Sequence, residues 1–171
     1  MRLVLPLMLA IVLGAGALAQ ASRRPRATAP TTSQEVEAPP DLIQQLARDD
    51  PEVASFLNQG LGSDPMYKFT GTSIDLNGDG RPEFIVYPPV SMDGNSSGPR
   101  WVYSRSRLGY QQLLATSAMN IEALKSSSQG YRDIQTTGGG NAGGYFKSVF
   151  KFNGKKYVLY STRKSKAGIP K

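Results

Sequence analysis

The sequence predicts an α+β domain: two short N-terminal helices packed on a mostly antiparallel, twisted β-sheet of about five to seven strands, a usual sheet size. Three observations predict it. Apolar residues fall at helical spacing only between positions 41 and 59. From Met66 onward they alternate, as in half-buried strands. The chain closes on two strand-like runs around Asn153-Gly154, a pair of residues strongly favoured in hairpin turns. A length of 171 residues suits one domain with a real core rather than two.

Taken in order, residues 1–19 read as a signal peptide. Arg2 supplies the charged start, Leu3 to Leu18 is apolar, and Ala17-Leu18-Ala19 is an Ala-x-Ala cleavage site. The expected location is secreted or periplasmic, with no membrane span after cleavage; the alternative is an uncleaved anchor. Residues 20–40 are rich in Pro, Thr and Ala, carry Arg23, Arg24 and Arg26, and read as a disordered linker. A single domain is expected over 41–163, with a basic tail over 164–171.

Within that domain Leu42, Ile43 and Leu46 mark a first short helix. Asp50 as N-cap, Pro51 at the first helical position and Glu52 in the first turn mark a second. Its stripe is Val53, Phe56 and Leu57, and Gly60 ends it. Strands are expected at Tyr67–Ile74, Phe84–Tyr87, Trp101–Tyr103, Tyr110–Ala115 and Tyr131–Thr136, while Ile121–Leu124 fits a strand or a helical turn. In the final hairpin Phe146, Ser148, Phe150 and Phe152 share one face and should meet the core. Lys147, Val149 and Lys151 share the wet one.

Zero cysteine removes disulfides and lipoprotein acylation, and zero histidine removes the usual neutral-pH general base and the commonest zinc ligand. Ser-His-Asp, Cys-His and His-ligated zinc hydrolases are thereby excluded. Carboxylate pairs, serine–lysine chemistry or no chemistry remain.

One stretch carries a specific chemical signal: Asp75-Leu76-Asn77-Gly78-Asp79-Gly80-Arg81-Pro82-Glu83. Side-chain oxygens at loop positions one, three and five, a backbone carbonyl at seven and a later carboxylate are what Ca²⁺ takes as ligands. Here they are Asp75, Asn77, Asp79, the carbonyl of Arg81, and Glu83. An Asn-Gly and an Asp-Gly would suffice for a bare turn. Yet three carboxylates crowded around it repel one another unless a cation sits among them. An EF-hand is ruled out because position twelve, where it needs a bidentate Glu, is Val86, and a β-type run follows instead of a helix.

From Ser73 to Tyr87 the chain resembles the Asp-x-Asn-x-Asp-Gly-x-x-[Asp/Glu] loops of FG-GAP and VCBS-type repeats, found in integrin-like propellers and many secreted bacterial proteins. That resemblance implies one Ca²⁺ between two strands. Such repeats occur in tandem to close a propeller, whereas this chain has one copy, so a whole propeller is excluded.

Other candidates are weaker. Gly138, Gly140 and Gly143 match Gly-x-Gly-x-x-Gly, but a strand pattern follows where a dinucleotide site needs a helix. Ser161-Thr162-Arg163-Lys164 fits Ser-x-x-Lys without its companion signatures. Glu122 and Asp133 are the candidate carboxylate pair for an envelope hydrolase. Asn95-Ser96-Ser97 is a glycosylation sequon.

The formal charge of +7 is concentrated late, at Lys147, Lys151, Lys155, Lys156, Arg163, Lys164, Lys166 and Lys171. These either attract an anionic envelope component or solubilise an edge hairpin and discourage its aggregation. The expectation is a non-catalytic, monomeric binding or accessory module with one structural Ca²⁺ and no specific nucleic-acid partner. The alternatives are the carboxylate hydrolase and a basic binder of anionic polymers.

Overall fold

The computed structural model describes residues 34–60, 67–93, 97–139 and 144–165. The signal segment, the linker as far as residue 33, the Asn95 sequon, Gly140 and Gly143, and residues 166–171 lie outside the described residues.

The chain is mostly antiparallel β-structure with a few short helices. Its elements in order are β1 (Gln34–Glu37), α1 (Pro40–Asp49), α2 (Pro51–Asn58), β2 (Thr70–Ile74), β3 (Glu83–Tyr87), α3 (Val90–Asp93), β4 (Gly98–Ser106) and β5 (Gly109–Ala118). Then come β6 (Asn120–Ser128), β7 (Tyr131–Gly139), β8 (Tyr145–Phe152) and β9 (Tyr157–Ser165). The first five strands form one sheet in sequence order and the last four another, with every neighbouring pair antiparallel. The expected single sheet of five to seven strands is thus corrected to nine strands in two sheets, among the described residues. Period-two alternation says which residues share a face, not which sheet a strand joins. The chain passes from β5 to β6 through Met119 alone, whose N–H donates to Thr137 O at 2.7 Å.

The layers run helices, first sheet, second sheet. Val86, Trp101 and Tyr103 face the helices, where they pack with Leu42, Leu46, Val53, Phe56 and Phe69. Their strand neighbours Ile85 and Val102 face the other way, into a core shared with Ile121, Ile134, Phe152 and Tyr157 of the second sheet. At a register shift between Val102 and Tyr103, β5 gains Leu113 as an unpaired residue, and Leu113 and Leu114 both reach that core. Bulges re-aim side chains in this way.

The helix layer is tied down through two adjacent acids. Asp50 Oδ1 accepts from the Glu52 and Val53 N–H groups at 3.0 and 3.4 Å, the N-cap expected from the sequence. Its Oδ2 accepts from Trp101 Nε1 at 3.1 Å, while Asp49 Oδ2 accepts from Tyr103 Oη at 2.8 Å. Burial and the Asp49 acceptor both push the Tyr103 hydroxyl far above its ordinary proton affinity, burial first.

Two boundaries and one turn differ from expectation. The linker was expected to run to Pro40, but Gln34–Glu37 pairs with β2, and Ala38 is buried with its N–H on Phe69 O at 3.1 Å. The tail was expected from residue 164, but β9 continues to Ser165. The final hairpin closes over residues 153–156: Asn153 Oδ1 accepts from the N–H groups of Lys155 and Lys156 at 3.0 and 2.9 Å. Among its residues only Gly154 has a positive φ, so it is not the two-residue turn that needs two such residues. That geometry belongs instead to Gln129 and Gly130, at φ 48° and 86°, between β6 and β7.

No helix of the described residues is long and apolar enough to cross a membrane.

Replacing Asp50 by Ala removes the cap and leaves the buried indole N–H without its acceptor, so stability should fall by about 2–3 kcal/mol. Asp50→Ser keeps a capping oxygen and should lose about half of that. Urea unfolding with an unchanged m-value reads both. Equal stability of all three proteins would contradict the proposed tie.

Candidate functional site

The loop from Asp75 to Pro82 leaves β2 after Ile74 and returns as β3. Its polar groups first satisfy the tight backbone. Asp75 Oδ1 accepts from Gly78 N–H at 2.6 Å and Oδ2 from Gly80 N–H at 3.0 Å. Asn77 Oδ1 accepts from Asp79 N–H at 2.9 Å, and Asp79 Oδ1 from Arg81 N–H at 2.7 Å. Gly78 and Gly80 sit at φ 73° and 82°, a conformation that side chains with a Cβ rarely adopt.

Asn77 gathers the next set. Its Nδ2 lies 3.2 Å from Asp79 Oδ2, 3.4 Å from Glu83 Oε1 and 3.0 Å from the hydroxyl of Tyr131. Asn77, Asp79 and Glu83, three of the five expected ligands, therefore meet around one amide. Asp75 is turned onto the loop's own N–H groups, and Arg81 is exposed. Among the described residues no three acidic side chains stand close enough to form a ready-made metal shell.

Glu83 is the unusual member. It opens β3, is 2% exposed, and its Oε2 accepts from Leu76 N–H at 2.7 Å. Burial pushes its carboxyl up from the ordinary 4.5 to about 7. The Leu76 N–H opposes that rise, and the neighbouring Asp79 and Asp75 charges add to it. A buried carboxylate facing two like charges costs free energy unless it takes a proton or a cation.

Sequence reasoning missed Leu76. Its side chain is 0% exposed in the core between the sheets, and its carbonyl accepts from Arg132 N–H at 2.7 Å. The signal was available: an apolar residue at the second position of an otherwise polar loop. Tyr131 and Arg132, which receive the loop on β7, left no comparable trace in the sequence, because they lie 54 positions or more away from Asn77 and Leu76.

The other candidates separate. Register sets Glu122 opposite Gln135, two residues from Asp133, so the pair lies on one side of the β6–β7 ribbon. Glu122 is exposed, whereas Asp133 is 2% exposed with Oδ2 held by Ser126 Oγ at 2.7 Å. A carboxylate so enclosed does not meet a glycoside in this conformation. Ser161 pairs with Val149 and Lys164 with Phe146, on opposite faces of β9, so no serine–lysine couple forms. Gly138 and Gly139 belong to β7 and pair with β8, so no helix follows that glycine run.

The raised Glu83 carboxyl fixes the sign of a pH effect. Its folded-state proton affinity exceeds the unfolded one, so the relative stability is complete below pH 4.5 and is lost as pH rises through about 7. In a chelator, unfolding free energy should therefore fall by up to about 3 kcal/mol across that window. The same series on Glu83→Gln should lack this component. Parallel pH profiles for the two proteins would contradict the burial of an unpaired carboxylate.

Comparison with protein-family models, with curated proteins and with solved structures returns no match to this chain.

Proposed function

We propose that this chain is a small exported, non-catalytic binding or accessory module whose two sheets are clamped together by one Ca²⁺. The ion would be held by Asp75, Asn77, Asp79, the carbonyl of Arg81 and Glu83, and the anionic partner would be met elsewhere on the surface. Export rests on the apolar N-terminal run and its Ala17-Leu18-Ala19 site.

The observation that carries the reading is the buried Glu83 carboxylate, which meets Asn77 and Asp79 around one amide and feels the like charges of Asp79 and Asp75. A hard divalent ion suits that donor set, since every group it offers is an oxygen. Calcium would take the place of the proton that Glu83 otherwise holds. It would also draw together the oxygens of Asp79 and Glu83, now bridged by the Asn77 amide. Because the loop is bonded to β7 through Leu76 and Asn77, an ion in it would tighten the junction of the sheets.

With a Kd of ~0.1 mM, in the range of extracellular modules, and ~1 mM free calcium, binding adds about 1.4 kcal/mol to stability. That is a useful share for a domain without disulfides. Calorimetric titration of the wild-type chain should show one site, and Asp79→Ala should show none. In melting experiments the variant should lose the calcium-dependent increment while melting like the wild type in a chelator. Equal losses in both buffers would contradict ligation.

A further inference from the structure

We propose that the outer face of the second sheet binds an anionic polysaccharide bearing sulfate or carboxylate groups. This names a partner class for the binding module proposed above and rests on that reading, while using no residue of the calcium loop. The face is the one turned away from Ile134 and Phe152, which lie in the core between the sheets. Register places Thr137, Lys147 and Arg163 side by side across β7, β8 and β9. Lys147 and Arg163 are both exposed and directly opposite each other. Like charges so placed destabilise a sheet, and an anion between them reverses the sign.

Edge protection suits Arg163 on the edge strand β9 but not the lysines beside it. Lysine discourages aggregation on an edge strand, but β8 is interior, flanked by β7 and β9, and carries both Lys147 and Lys151. No acid follows Asp133 in the sequence. Among the described residues neither Lys147, Lys151 nor Arg163 forms a salt bridge. Lys147 and Lys151 are about 13 Å apart along the strand, so the positive face is extended, as a polymer requires.

The chemistry between the cations favours a glycan over a single-stranded nucleic acid. Gln135, Thr137 and Ser161 supply an amide and two hydroxyls, which match sugar hydroxyls in hydrogen bonding. Stacking of successive bases needs a row of open rings. Tyr145 and Tyr160 are both exposed, and Lys151 Nζ lies 3.9 Å from the Tyr160 ring centroid, so two separated rings rather than a row are offered among the described residues.

The test is calorimetric titration of the full chain with a short heparin oligosaccharide, in calcium and in chelator, at a temperature where circular dichroism shows both samples folded. The wild type should bind with an affinity that falls as salt rises. Lys147→Gln/Arg163→Gln should weaken binding at least tenfold, lower the salt slope by about 2, and melt no lower than the wild type. Arg48→Gln/Arg107→Gln, which removes the same charge elsewhere, should bind as the wild type does. No binding by the wild type, indifference to salt, or equal loss in both double variants overturns the proposal. So does neutral dextran binding as tightly as heparin, or an oligothymidylate binding more tightly than heparin at the same salt. Heparin binding without calcium uptake would sink the metal reading alone, and calcium uptake without heparin binding would sink this one alone.

Discussion

At the loop end of the core between the sheets, the backbone of one residue bonds to both. Leu76 inserts its side chain between them, gives its N–H to the buried Glu83 carboxylate, and takes the N–H of Arg132 on its carbonyl. Arg132 carries the linkage onward. Its guanidinium donates to Leu124 O and Ala123 O at 2.8 Å each, and its own carbonyl accepts from Tyr157 Oη at 2.7 Å. Strands β2, β3, β6, β7 and β9 are thus joined within a few bonds of a single loop. Burying a leucine at such a point stabilises by about 1.5–3 kcal/mol, and the Glu83 carboxylate set beside it acts against that gain whenever it is ionised without a counter-charge.

The opposite side of the first sheet solves the same problem differently. There the buried polar groups are the indole of Trp101 and the phenol of Tyr103, both neutral, and each finds a carboxylate at a helix junction. Asp49 and Asp50 remain at the margin of the core, so they serve as acceptors without the desolvation that Glu83 suffers. Arg100, buried in β4, is likewise met by Asp93 of α3 and by the Pro99 and Met119 carbonyls. The charge of Arg100 has its partner close by. Glu83 has instead the N–H of Leu76 and the amide of Asn77, with the like charges of Asp79 and Asp75 nearby.

Local patterns were legible in the sequence, and long-range pairing was not. Asp50 announced its own helix, since a cap acts over three residues, and Gly60 ended that helix at φ 73°. The strand regions were visible as alternation, though several run longer than their apolar stretches because hydrogen bonding continues past the core. Phe146 shows the cost of reading faces alone. It shares a strand face with Phe150 and Phe152, yet it is 37% exposed and meets Lys164, because β8 extends beyond the inter-sheet core at that end. The loop's oxygens were legible as a set from spacing. Their attachment to Tyr131 and Arg132 was not, since nothing in a single sequence links positions 76 and 132.

Amide hydrogen exchange tests the central claim most directly, because it reads the Leu76 and Arg132 N–H groups one by one. At pH 8 in calcium both should exchange as slowly as the core strands around Ile85 and Ile134. In chelator both should exchange faster together, while amides paired between β8 and β9 keep their rates. If chelation leaves Leu76 and Arg132 unchanged, the two sheets are held without an ion and the clamp does not exist.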